Sequence, residues 1–233
     1  MKIFQKTPSP NAKQSRRRFL QYSGAALATG AMLVSGCDDD DDDDIVIVDD
    51  VNLGSGDLGL LNYAYALEQL EAAFYAQVIT TGYYNGASSA EQEILRDLEK
   101  HERAHAEFFE AAISSVGEPI PALEVDFSSV DFNDRSSVLS TAKTFEDLGV
   151  SAYNGAGPLL ENPEYLLLAG KIVSVEARHA AAIRSIFDAS NTSFAGDDII
   201  DANGLGLART PSEVLAAAAP FIRTPIDGSN LPG

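Results

Sequence analysis

The sequence predicts an all-α protein: a four-helix bundle with a long crossover between helices two and three, plus a short helix near the C-terminus. Three observations predict it. Apolar residues recur at three- and four-residue spacings along four separate stretches. Capping residues and Gly or Pro punctuate the ends of each stretch. The link between the second and third stretches, residues 117–135, is long, carries Pro119 and Pro121, and suits a crossover between parallel neighbours; a tight hairpin would not need it.

The chain begins with a segment that is not part of this bundle. Ser15 to Leu20 reads SRRRFL, with Arg16 and Arg17 as a twin-arginine export pair followed by Phe19 and Leu20. A mildly apolar stretch from Gly24 to Val34 follows, too short and too rich in Ala and Gly for a comfortable membrane span. It ends in Leu33-Val34-Ser35-Gly36-Cys37, an apolar residue and two small ones before a cysteine, which resembles a lipidation site. Residues 1–36 are therefore expected to be a twin-arginine lipoprotein signal peptide, and Cys37 the lipidated N-terminus of the mature chain. Residues 37–55 form an acidic linker that opens with seven consecutive aspartates, Asp38 to Asp44. Such a run repels itself, stays extended, and lacks the spaced ligands and turn glycine of a calcium loop. The expected location is periplasm-facing, with the chain held to the inner membrane by its lipid.

Charge narrows the partners. The chain carries 16 basic and 35 acidic groups, a formal charge of −19, and six of the basic groups fall in the first 36 residues with no acidic ones. The remainder is acidic enough to repel phosphate backbones, which argues against nucleic-acid binding. With Cys37 the only cysteine, disulfides within the chain are excluded and a cysteine-based metal site is implausible.

Helix one is expected over about 57–81, with the stripe Leu61, Tyr65, Glu68, Ala72, Tyr75, Ile79 and a stop at Gly82. Helix two spans about 89–116, opened by a capping box of Ser88 and Glu91 and ended by Gly117 and Pro119. Its stripe is Leu95, Leu98, Glu102, His105, Phe109. Helix three spans about 136–153, with the stripe Leu139, Glu146, Val150, Tyr153, broken by Gly155, Gly157 and Pro158. Helix four is capped by Asn162, starts at Pro163 and runs to about 188, with the stripe Ile172, Glu176, His179, Ile183. The bundle domain thus covers 56–190. A C-terminal extension, 191–233, holds a short helix over about 211–222 with Thr210 and Glu213 as a second capping box, and its last residues are expected to be loose.

Each stripe carries ionisable groups where apolar ones belong. Glu102 with His105, and Glu176 with His179, are three apart and so share a helix face. An internal repeat explains the other two. EQLEAAFY at 68–75 aligns with EDLGVSAY at 146–153, each with Glu, then Leu two later and Tyr seven later. The chain reads as two helix pairs, each giving one lone Glu and one Glu-x-x-His. One Glu from each of two helices and Glu-x-x-His from each of the others is the ligand pattern of di-iron and di-manganese carboxylate bundles. Four carboxylates and two imidazoles inside a bundle are costly unless neutralised, and two divalent ions, iron or manganese, supply the needed charge. The expected metal residues are Glu68, Glu102, His105, Glu146, Glu176 and His179. Glu71 competes with Glu68; in the repeat it aligns with Gly149, which favours Glu68 and leaves Glu71 as a neighbour of the ligands or an alternate ligand. Tyr75 and Tyr153 are expected to hydrogen-bond ligand carboxylates. His101 lies off the stripe and is expected at the surface or against a partner helix.

LEQLEAAFY, GVSAYNGA and VSVEARHAA resemble the ferritin-like superfamily, in particular the ferritin-like domain family that includes desiccation-related proteins and exported bacterial relatives. The resemblance covers residues 57–190 and implies a ferritin-like bundle with a dinuclear metal site at the six residues above, Tyr75 being the tyrosine seven after the first glutamate. It implies oxidation of iron(II), or handling of oxygen or peroxide in stress protection, by ferroxidase, oxidase or dimanganese catalase-like chemistry, with a small oxidant or a metal ion as substrate. A non-catalytic ferritin-like domain with a protective or scaffolding role is the alternative, and the lipoprotein start and C-terminal extension are departures from the family pattern.

Overall fold

The structure is a computed structural model that describes residues 50–188 and 193–233. The export motif, Cys37 and the aspartate run lie outside the described residues. In chain order the elements are β1 (Val51–Asn52), α1 (Gly56–Val78), α2 (Gly82–Gly86), α3 (Ser89–Ser114), α4 (Arg135–Ala156), α5 (Pro163–Phe187), α6 (Pro211–Ala218) and β2 (Ile226–Asp227). The four long helices, α1, α3, α4 and α5, form the bundle, and each lies within one turn of its expected range. No helix among the described residues is long and apolar enough to cross a membrane.

Side-chain contacts fix the helix directions. Glu68 meets Tyr153 while Tyr75 meets Glu146, so α1 and α4 run antiparallel. His179 lies against Glu102 and His105 against Glu176, so α3 and α5 are antiparallel too. With α1 and α3 joined by a short link, α3 and α4 must then be parallel. A helix of this length spans roughly 40 Å, and the crossover has to return that distance. It does so as largely extended chain, with Val125 in an antiparallel bridge to Ile222. Phe127 and Phe132 of the crossover, Phe74 of α1, Phe145 of α4 and Phe221 after α6 form one aromatic cluster with centroids 4.8–6.4 Å apart, mostly edge to face.

Local signals explain most helix ends. The hydroxyl of Ser88 accepts from the Glu91 amide, Asp134 caps α4, and Asn162 caps α5 ahead of Pro163. The box at Thr210 and Glu213 is complete. The box at Ser88 is only half made: the Glu91 carboxylate turns away to accept from the Tyr83 hydroxyl and the Arg135 guanidinium. Two charge-assisted bonds from another helix outweigh one reciprocal bond to the cap. Gly82 opens the short α2 under a Thr81 cap, after α1 has already ended at Val78.

Two expectations need correction. Helix α4 does not break at Gly155; it continues to Ala156. Gly155 is there because the C-terminal extension crosses α4 at that point: a Cβ would overlap the Arg209 carbonyl oxygen. Nor are the last residues loose. Strand β2 pairs in parallel with β1, the Asp227 carboxylate accepts from Asn52, and Gly228 sits against Leu215 and Leu53. The extension is further fixed by Arg184 of α5, whose guanidinium donates to both Asp147 and Asp198.

Gly155→Ala is expected to force the strap at Arg209 off α4 and to cost about 1–3 kcal/mol, as overpacking does. Chemical denaturation measures this, and an unchanged midpoint would refute the crossing as the reason for the glycine.

Candidate metal centre

The site forms where the stripes of the four long helices meet. Helices α3, α4 and α5 each open under a side-chain cap, and all four helices point their glutamate inward because that position falls on the apolar stripe. The structure brings together all six residues expected as ligands. Two groups have ligand atoms close enough to share an ion: Glu68, Glu102, His105 and Glu176, and Glu102, Glu146, Glu176 and His179.

The distances assign different parts to the carboxylates. Glu102 Oε2 lies 3.3 Å from His105 Nδ1, and its Oε1 lies 2.6 Å from His179 Nδ1. Glu176 does likewise, with Oε1 at 2.9 Å from His105 Nδ1 and Oε2 at 3.8 Å from His179 Nδ1. These two glutamates therefore span both groups, one oxygen to each. Glu68 Oε2, at 3.3 Å from His105 Nδ1, belongs to one group, and Glu146 Oε2, at 3.6 Å from His179 Nδ1, to the other. The outer oxygens of these terminal carboxylates are taken: Tyr153 donates to Glu68 Oε1, and Tyr75 donates to Glu146 Oε1 at 2.6 Å. The repeat is thus reciprocal, each half's tyrosine holding the other half's glutamate.

The fit to metal rests on what these atoms lack. Seven buried side-chain polar atoms among the described residues have no hydrogen-bond partner, and six belong to this cluster: Glu68 Oε2, Glu102 Oε1, Glu146 Oε2, both oxygens of Glu176, and His179 Nδ1. His179 Nδ1 and Glu102 Oε1 are near each other without hydrogen-bond geometry. Groups this deeply buried are ordinarily satisfied. Lone pairs that converge on shared points and not on donors are what two cations would satisfy, and an oxygen-rich set with one imidazole for each ion suits iron or manganese.

Burial and mutual repulsion shape the protonation of the cluster. Burial, reinforced by the Glu176 charge, holds the Glu68 carboxyl well above its usual range. Burial likewise pushes Glu146 up to about 8. Burial opposes charge on the imidazoles, but the surrounding carboxylates outweigh it and push His105 and His179 each up to about 12. Burial would raise Glu102 also, yet the hydrogen bond with His105 and the closeness of the His179 imidazole win and bring it down to about 2. Without cations the cluster keeps its balance by holding protons.

Glu71 is buried beside the six without joining either group. Its carboxyl occupies the space that glycine at 149 leaves open, 3.1 Å from where a Cβ there would be. Burial, with the nearby Glu176 charge, holds it protonated well above the usual range. The repeat is broken at this pair so that one extra carboxyl fits. His101, expected at the surface or on a partner helix, is exposed and also touches α5: its Nδ1 is 3.0 Å from His179 Nε2. The periodic stripe hid it, because it lies one residue before Glu102. The signal that finds it is His101-Glu102-x-x-His105, which puts two histidines four apart on neighbouring turns.

The metal-free protein is expected to lose stability as pH rises. Glu146 titrates near 4.5 when unfolded and near 8 when folded, and the two imidazoles move from 6.5 to about 12. Over pH 4.5 to 8 the folded state therefore binds more protons than the unfolded state, and stability falls through that window. Glu102 acts in the opposite sense only below its usual 4.5. Calorimetry of chelator-treated protein should show a lower Tm at about pH 8 than at about pH 5, and loading with a divalent ion should raise Tm most at the higher pH, since cations then replace protons. A metal-free Tm that climbs across this range would count against the cluster as described.

The family model described as a ferritin-like domain matches residues 56–189, which covers all four bundle helices and every residue of the cluster. No curated protein sequence is significantly similar to the chain.

Proposed function

The chain belongs to the ferritin-like domain family, and from that premise we propose that it is an exported dinuclear metal protein, with iron or manganese, that oxidises iron(II) or handles oxygen or peroxide in stress protection. The observation that carries this reading is the convergence of six ligand-type side chains whose inward atoms have no other partner. When bound, a pair of redox-active ions supplies the electrons that reduction of dioxygen or peroxide requires.

The protein's own groups have distinct tasks in this reading. Glu102 and Glu176, each with one oxygen toward His105 and one toward His179, would be shared between two ions. Glu68 and Glu146 would each serve one ion, and Tyr153 and Tyr75 restrict how those carboxylates can turn. Burial and the Glu176 charge hold the Glu71 carboxyl well above its usual range, which makes it a proton-donating group beside the site. Access is one-sided. The His105 side chain is 14% exposed, while the other five side chains are between 0 and 4%. A small oxidant or a metal ion reaches the pair past His105.

The twin-arginine motif and the Cys37 context support a periplasm-facing lipoprotein of the inner membrane. Twin-arginine export carries folded proteins, which agrees with a cluster that closes only when the bundle is assembled.

Metal analysis of natively exported protein, followed by assays of iron(II) oxidation and peroxide loss, tests the reading. Two iron or manganese ions per chain with turnover are expected; metal at a stoichiometry near zero would overturn it, and two ions without turnover would favour a scaffolding role. The spanning and terminal carboxylates should differ. Glu102→Ala is expected to abolish binding of both ions, whereas Glu68→Ala should spare the ion at His179, as measured by metal content after gel filtration. Equal losses in the two variants would refute the assignment of spanning carboxylates.

A further inference from the structure

His101 is an exposed residue on α3, yet its ring is aligned with a buried one. Its Nδ1 lies 3.0 Å from His179 Nε2, the ring planes are 8° apart, and the centroids are 5.1 Å apart. Nitrogens at that separation are nearer than the roughly 3.5 Å at which atoms of stacked rings rest. The two imidazoles are therefore side by side in nearly one plane, joined by a hydrogen bond.

This bond has a required direction once the cluster holds metal, and the inference rests on that reading. His179 faces the cluster with Nδ1, which must then present a lone pair. A neutral imidazole with a free Nδ1 carries its proton on Nε2. That Nε2–H donates to His101 Nδ1, which leaves the His101 proton on its own Nε2, on the solvent side. His105 also faces the cluster with Nδ1, but no hydrogen bond to its Nε2 is present among the described residues. The two halves of the repeat, so alike in their carboxylates and tyrosines, differ here.

We infer that His101 is a positioning residue that fixes the tautomer and ring orientation of His179, so that the two metal positions are unequal. The position formed by Glu102, Glu146, Glu176 and His179 is the tight one: fully buried, with its imidazole held from behind. The position formed by Glu68, Glu102, His105 and Glu176 is the exchangeable one, with a partly exposed imidazole that lacks this support. Residues 101–105 spell the His-Glu-x-x-His pattern that elsewhere places two histidines on one metal. Here the fold divides the pair, His105 going to the cluster and His101 behind the imidazole of the opposite helix.

The test is stepwise titration of the metal-free full chain with manganese(II), read by calorimetry and by electron paramagnetic resonance. Wild type should bind two ions in two resolved steps. His101→Ala should weaken the tighter step by about 10–100-fold, the usual effect of losing such an outer partner, and leave the weaker step in place. His101→Asn, whose Oδ1 can accept from Nε2–H, should restore most of the loss. Melting of both variants in the metal-free state separates a loss of fold from a loss of metal affinity. Nitrogen-15 spectra of the zinc-loaded protein should show His179 protonated at Nε2 in wild type and in His101→Asn. If wild type binds two ions and His101→Ala binds both as tightly, or if His179 carries its proton on Nδ1, the inference fails while the dimetal reading stands. A wild-type chain that binds no ion would sink both.

Discussion

Four glutamates and two histidines buried at the centre of one bundle set the terms for the rest of the molecule. The outward oxygens of Glu68 and Glu146 are matched by Tyr153 and Tyr75, and Glu102 Oε2 by His105, but six inward atoms of the cluster have no hydrogen-bond partner among the described residues. Removing a carboxylate from water costs several kcal/mol even after relaxation, and the structure meets that cost four times within a few ångströms. Protons can offset it in part, as the raised Glu68, Glu146 and Glu71 carboxyls show. Cations bound at the cluster would offset the remainder, and the stability of the fold would then be linked to occupancy of the site.

Much of the remaining architecture reads as support for that centre. The reciprocal tyrosine–glutamate pairs fix α1 against α4, while the histidine–carboxylate contacts fix α3 against α5. The crossover and the C-terminal extension add no ligand. They wrap the bundle and are held by the phenylalanine cluster, by the paired short strands and by Arg184 between Asp147 and Asp198. A scaffold tied at both ends and along its side resists the opening that four mutually repelling carboxylates would otherwise favour.

The duplication is close but not exact in its effects, and the departures have chemical content. Glu71 faces Gly149, so one half contributes an extra carboxyl and the other contributes the space for it. His179 is backed by His101 and is buried, while His105 is partly open. The cluster thus has an interior position and a more accessible one.

The amino-acid sequence alone determined the helices, their order, the crossover and all six inward residues. Those features follow from short-range periodicity and from a repeat, both of which survive in one dimension. Capping at Ser88, Asn162 and Thr210 was legible for the same reason. What the tertiary structure decided involves residues far apart in the chain. Gly155 resembles a helix breaker until the Arg209 strap is seen to cross it. Glu91 resembles half of a capping box until Arg135 arrives from α4. The C-terminal residues look loose until β1 pairs with them. The division of the carboxylates into spanning and terminal, and the role of His101 behind His179, depend on distances between helices. Periodicity states which face a side chain is on; only packing states what it meets there.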